Sequence, residues 1–246
     1  MMKRLFGAAV VLLLLAVHGN ANAQTKTIKW CGYTWNVKEP AEPTGPGPNY
    51  WSASNVWVDG SGWLHLKISK NAANGRWECA EVSSTDSFGM GTYQWQIDAD
   101  LDKFDKNIVL GLFNYSGVDA RDEMDIEFAR WGNSAYPNLN YTVYPKAGDP
   151  PKHTSYSTEF TSPNGTYTTQ RFIRTPESVT FKTLYGHLDT DSRDNLFLTK
   201  EFKSPAVSIS SVSMPAFLNL WLFKGLAPSD DKPVEVVIHS FKFTGK

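Results

Sequence analysis

The sequence predicts an all-β fold, a sandwich or barrel of short antiparallel strands. Three observations carry this. No segment sustains a 3.6-residue apolar period, whereas many alternate strictly at two residues. Gly, Pro, Asn and Asp recur between those runs as turn signals. Aromatic and β-branched residues fill the runs, and nine Trp occur among 246 residues. Many short strands with regular turns build sheets packed on sheets or closed on themselves.

The N-terminus reads as a secretory signal. Lys3 and Arg4 form a short basic region, Phe6 to Val17 is apolar, and Ala21-Asn-Ala23 offers small residues at a cleavage site. A spanning helix needs about 20 apolar residues, which argues against a retained anchor. Cleavage after Ala23 leaves a mature chain, 24–246, that is expected to fold as one domain and to be exported. Pro40 to Pro48, dense in Pro and Gly, is a loop. Strands follow at Asn55–Val58, Trp63–Ile68, Trp77–Val82, Gly91–Ala99, Ile108–Phe113, Met124–Phe128 and Leu139–Tyr144. Further strands are predicted at Thr166–Arg174, Ser178–Leu184, Leu196–Phe202, Phe217–Leu222 and Val234–Thr244. Asp59-Gly60 and Ser61-Gly62 mark a hairpin turn between the first two. Ala147–Ser162 and Asp189–Asn195 read as surface loops.

The chain carries 24 basic and 25 acidic side chains. Loss of Lys3 and Arg4 leaves 22 against 25, a balance that argues against nucleic acid or an anionic membrane as partner and suits a neutral substrate. The five histidines are scattered without metal-ligand spacing, and no Gly-x-Ser-x-Gly elbow supports a serine nucleophile. The two cysteines, Cys31 and Cys79, are expected to form a disulfide in an exported protein. Asn114-Tyr-Ser116 and Asn164-Gly-Thr166 match the N-glycosylation pattern.

The chemistry concentrates in Asp122-Glu-Met-Asp-Ile-Glu-Phe128. Alternation puts Met124, Ile126 and Phe128 on one face of a strand and Glu123, Asp125 and Glu127 on the other. At roughly 3.3 Å per residue the Cα atoms of the two glutamates stand about 13 Å apart. Side chains that lean inward bring the carboxylates to about 5–6 Å, near the roughly 5–5.5 Å of a retaining glycosidase. Asp125, shorter, fits between them and adjusts both. A solvated acidic strand face is the alternative that spacing alone leaves open.

This stretch resembles the Glu-x-Asp-x-Glu signature of glycoside hydrolase family 16. Cys79-Ala-Glu-Val82 with Phe88-Gly-Met-Gly-Thr-Tyr93, Asn140, and Asn219-Leu-Trp221 resemble further family segments in the same order. The resemblance implies a β-jelly roll, concanavalin A-like, of two curved antiparallel sheets with a concave substrate cleft. It implies Glu123 as nucleophile, Glu127 as acid/base and Asp125 between them. Glu81, Asn140, Asn219 and Trp221 become candidate substrate-binding residues. Two departures put the sugar specificity in doubt: Arg121 stands where lichenase-like members carry Trp, and Ser83 where they carry Arg. Arg121 is therefore a candidate contact, and Trp131 a candidate replacement for lost stacking. Trp51 could cap one end of the cleft or lie in the core. Lichenase-like members pair the equivalent of Cys79 with a cysteine near Asn49, so a Cys31–Cys79 bridge would be particular to this chain. The resemblance also implies a structural calcium with ligands unassigned, and no cofactor for catalysis. The unbroken signature resembles the lichenase and xyloglucan-active branch and favours an endo-glucanase acting on β-1,3-1,4-glucan or a related β-glucan; a monomer is expected. A transglycosylase, or a non-catalytic carbohydrate-binding protein on the same fold, stays open.

Overall fold

The computed structural model describes residues 26–150 and 152–246. The expected signal and its cleavage after Ala23 lie outside the described residues. Sixteen strands follow: β1 (Thr27–Trp30), β2 (Tyr33–Val37), β3 (Tyr50–Trp51), β4 (Val56–Val58), β5 (Leu64–Lys70), β6 (Trp77–Phe88), β7 (Gly91–Asp98) and β8 (Ile108–Tyr115), then β9 (Glu123–Ala129), β10 (Leu139–Tyr144), β11 (Thr154–Thr158), β12 (Tyr167–Arg174), β13 (Ser178–Tyr185), β14 (Leu196–Lys203), β15 (Met214–Leu222) and β16 (Val234–Gly245). All twelve predicted strands are present. Asp59 N–H bonds to Trp63 O at 2.9 Å and closes the predicted β4–β5 hairpin.

Hydrogen bonding runs β11-β10-β9-β8-β15-β6 and on to β2 and β1, which forms one sheet. A second runs β4-β5-β16-β7-β12-β13-β14, and β5 and β6 join the two at one side. Every pairing is antiparallel except the short contact of β3 with β6. The sheets face each other across the core. Tyr141 of β10 stacks on Phe181 of β13 with centroids 4.8 Å apart, and its hydroxyl meets Thr183 at 2.6 Å. Trp35 of β2 packs edge-on to Phe241 of β16 at 5.3 Å. Leu110, Leu112, Met124, Ile126 and Phe128 are fully buried, so the core-facing half of the central alternation behaves as the pattern requires. Truncating Ile126 or Phe128 to Ala should cost about 2–5 kcal/mol. The result is an all-β jelly roll whose first sheet turns its other face to solvent.

Several expectations are corrected here. Cys31 and Cys79 are both free. Cys31 sits in the exposed β1–β2 turn at φ 50, where its sulfur accepts from Phe241 N–H at 3.3 Å. Cys79 lies under β3, its thiol directed to Asn49 Oδ1 at 3.4 Å, and burial pushes that thiol up to about 12. The two sulfurs thus belong to different neighbourhoods. Before Pro40, β1 and β2, which were not among the predicted strands, continue the first sheet. Within Ala147–Ser162, β11 pairs along β10 as an edge strand. Trp51 is core, 4 % exposed, with its indole N–H on Thr44 O. Asn114 is fully buried and cannot serve as a glycosylation acceptor, whereas Asn164 is exposed.

Candidate active site

Register across the first sheet converts the acidic strand into the floor of a cleft. On β9, Glu123, Asp125 and Glu127 stand opposite Tyr144, Thr142 and Asn140 of β10. On the other side the same three stand opposite Tyr115, Phe113 and Gly111 of β8. Gly111 and Phe113 in turn face Asn219 and Phe217 of β15, and Asn219 faces Glu81 of β6. Residues at even spacing on five neighbouring strands therefore share one surface. They line a cleft of about 880 Å³ that also takes in Lys38, Asp119, Trp131, His153 and Trp221.

The three carboxylates have no Lys or Arg partner within ion-pair distance among the described residues. Burial is the largest influence on each. It pushes Glu123 up to about 7 and Glu127 up to about 8, and the charge of Glu123 adds to the rise at Glu127. A hydrogen bond with Asp125 works the other way at Glu123 and favours its charged form. Asp125 is 4 % exposed; burial, then the charges of Glu123 and Glu127, raise it well above the usual carboxylate range. A neutral Asp125 can donate to an ionised Glu123, while Glu127 keeps its proton. One anionic and one protonated carboxyl on the same face are what nucleophilic attack and leaving-group protonation require. Asp119 stands beside Glu123 and accepts from Tyr115 Oη at 2.6 Å.

Polar residues away from the strand are organised as supports. Lys38 pairs with Glu81 at 3.0 Å and also donates to Gly45 O at 2.6 Å, which draws the Gly45–Gly47 loop to the cleft wall. Asn219 Nδ2 donates to Glu81 Oε2 at 3.2 Å, leaving its buried Oδ1 without a partner in the protein. A Cβ on Gly111 would come within 2.4 Å of that oxygen, so the glycine is what lets Asn219 lie across the floor. Asn140 spends its amide on Glu127 O and Ala129 O, and its carbonyl accepts from Ser157 at 2.6 Å. It braces the Glu127 end of β9.

Of the residues singled out in the sequence, Glu81, Glu123, Asp125, Glu127, Trp131, Asn140, Asn219 and Trp221 all line the cleft. Trp221 is only 7 % exposed and packs against Trp131 at 6.4 Å, so most of its surface is spent on packing. Arg121 is a correction: it does not line the cleft, and its guanidinium donates to Ala120 O. Positive φ at Ala120 and Asp122 breaks the alternation just before β9, and Arg121 turns with the loop. Sequence reading missed Lys38, Phe113, Tyr115, Asp119, Thr142, Tyr144 and Phe217. For Phe113, Thr142 and Tyr144 the signal was present, since they fall at alternate positions of predicted strands. Among the described residues no three His, Cys, Asp or Glu side chains are grouped so that they could hold a metal ion.

No protein-family model and no curated protein matches the sequence. Solved structures do. The β-glucanase of Bacillus licheniformis superposes with a TM-score of 0.63 at 20% identity, covering 86% of this chain and 92% of that one. A Bacteroides ovatus mixed-linkage-glucan family 16 protein, in complex with a G4G4G3G product, gives 0.62 at 14% over 85% and 94%. An immunostimulatory antigen and pseudo β-1,3-glucanase of Mycobacterium tuberculosis gives 0.64 at 18% over 86% and 91%. Agreement over nine-tenths of those chains, at such low identity, resides in the backbone. The chain has the jelly-roll fold of the family 16 glycoside hydrolases.

Proposed function

We propose that the chain is a secreted endo-β-glucanase that cleaves β-1,3-1,4-glucan, or a related neutral β-glucan, with retention of configuration. The observation that carries this is the β9 face: three carboxylates in an open cleft, without cationic partners, two of them raised to about 7 and about 8. Glu123 attacks the anomeric carbon as the glycosidic C–O bond breaks, and Glu127 gives its proton to the departing oxygen. Glu127 then takes a proton from water, which displaces Glu123 and restores both groups. Asp125 steadies the charge on Glu123. The fold shared with two β-glucanases supports the substrate class.

A pseudo-glucanase among the solved structures of this fold favours a second reading, glucan binding without turnover. A reducing-sugar assay over a polysaccharide panel separates the two. Proton NMR of the first product formed should show the β anomer. An α anomer would mean that a water sits between the carboxylates, and binding without products would leave only the second reading. Adding an acceptor oligosaccharide to the same assay distinguishes hydrolysis from transglycosylation.

A further inference from the structure

The amide of Asn140 is committed before any ligand arrives. Asn140 lies on β10, 5 % exposed, with Glu127 of β9 opposite it on one side and Ser157 of β11 on the other. Its Nδ2 donates to Ala129 O at 2.9 Å and, less closely, to Glu127 O at 3.4 Å. Carbonyl oxygens only accept, so these two bonds fix which end of the amide faces β9. The other end, Oδ1, accepts from Ser157 Oγ at 2.6 Å. Both N–H groups are thereby used. Asn140 lines the cleft, yet it keeps no donor for a sugar hydroxyl.

The two carbonyls that Asn140 holds bracket Phe128, at the Glu127 end of β9. Glu127 depends on that hold. On the β8 side it stands opposite Gly111, which has no side chain to brace it. Among the described residues no side chain donates a hydrogen bond to its carboxyl, whereas Glu123 shares one with Asp125. The direction of the Glu127 carboxyl therefore follows from the placement of its backbone. That placement is supported from one side only, through the run from Ser157 to Asn140 to the β9 carbonyls. Proton transfer needs heavy atoms within about 2.6–3.2 Å, so a small drift of this strand end is enough to spoil it.

We propose that Asn140, fixed in turn by Ser157, is a positioning residue for Glu127: its amide sets where the acid/base carboxyl stands and makes no essential contact with the sugar. This rests on the reading of Glu127 as acid/base, which Glu127→Gln tests separately. The experiment measures kcat/KM, which covers the steps up to glycosidic cleavage, for Asn140→Leu, Ser157→Ala and Glu127→Gln. Two substrates are compared: mixed-linkage β-glucan, and a dinitrophenyl β-glycoside of a mixed-linkage glucan oligosaccharide. The sugar oxygen that leaves from the first must be protonated, whereas dinitrophenolate leaves as an anion and needs no acid. Glu127→Gln should therefore fail on the polysaccharide and keep most of its kcat/KM on the aryl glycoside. Equal losses on both would sink the acid assignment itself. Asn140→Leu keeps the side-chain volume and removes the donors. It should lose about 10- to 100-fold on the polysaccharide, the scale of an ångström-level misplacement, and stay within about threefold of native on the aryl glycoside. An equal loss on both substrates would make Asn140 a sugar contact or a structural residue, and native values on both would leave it without a role; either result overturns the proposal. Should Asn140→Leu not fold, Ser157→Ala, a change at an exposed residue, decides. A loss confined to the polysaccharide supports the proposal, and native values or equal losses on the two substrates overturn it.

Discussion

The two sheets each hold a cluster of charged side chains, and the clusters follow opposite rules. On the second sheet, Arg171 of β12 bonds Asp191, donates through Nε to Gln94 Oε1 at 2.8 Å, and reaches the carbonyls of Leu188 and Asp189 at 3.2 Å. Lys182 also bonds Asp191. Burial pushes Asp191 up, but Lys182 and Arg171 outweigh it and hold its carboxyl below the ordinary value. Every charge there has a partner, and the network straps the 186–195 loop to the sheet. On the first sheet, Glu123, Asp125 and Glu127 crowd together with no cation between them, and all three are raised. Paired charges hold structure. Crowded carboxylates raised together without a cation mark a candidate functional site.

The sharpest break of this comparison is Glu123→Ala. It should abolish turnover, by about 10³-fold or more, and leave the melt close to native. Azide should partly restore the reaction on an activated aryl β-glycoside, since a small anion fits where the carboxylate stood. A folded Glu123→Ala protein with full activity would remove the nucleophile from β9.

Glu127→Gln should cost about 10²–10⁴-fold in kcat on polysaccharide, the scale of a lost general acid. Its effect on stability has the opposite sign. The folded-state value of about 8 lies above the ordinary 4.5. The folded protein therefore binds the proton more tightly than the unfolded chain, so this group's contribution is full below pH 4.5 and fades as pH rises through about 8. Glutamine has no proton to lose. The variant should match the native melt near pH 4 and exceed it at pH 8 by about 2–4 kcal/mol, or roughly 5–12 °C. Equal melts at both values would mean that Glu127 is not held protonated by its surroundings.

Arg171→Met tests the paired cluster. It leaves the exposed Asp191 with one partner, strips the anchor from the 186–195 loop and leaves the buried Gln94 Oε1 without its donor, which should cost about 1–3 kcal/mol. Turnover at a temperature below the melt should be unchanged, because the network lies on the sheet away from the cleft. A fall in kcat with an unchanged melt would show that the two clusters communicate.

The smallest expected effect lies on the cleft floor. Gly111→Ala places a methyl 2.4 Å from Asn219 Oδ1, so Asn219 must shift and its bond to Glu81 must loosen. KM should rise by about tenfold, with the limbs of the pH–rate profile in place, since Glu123 and Glu127 keep their neighbours. A displaced limb with unchanged KM would mean that the glycine shapes the carboxylates and not the sugar contact.

Local pattern carried the strands and the three carboxylates. Alternation over seven residues is enough to put Glu123, Asp125 and Glu127 on one face, whatever surrounds them. β11 was hidden because Thr154-Ser-Tyr-Ser-Thr158 is an edge strand without an apolar face to announce it. Arg121 was misplaced because nearness in sequence to Glu123 fixes no direction once positive φ at Ala120 and Asp122 turns the chain. A disulfide was expected from two cysteines and export alone. Which cysteines meet depends on packing, and packing put Asn49 and not Cys31 against Cys79.

By itself, then, the sequence determined an all-β chain with three carboxylates on one face of a strand, because those properties follow from the two-residue period and the residue types within it. Only the tertiary structure decided what stands beside that strand. Tyr115 and Tyr144 flank Glu123, Gly111 opens the floor for Asn219, and Lys38 is drawn to Glu81. These partners come from different stretches of the chain. They are selected by strand register and sheet packing, which depend on the whole chain folding at once.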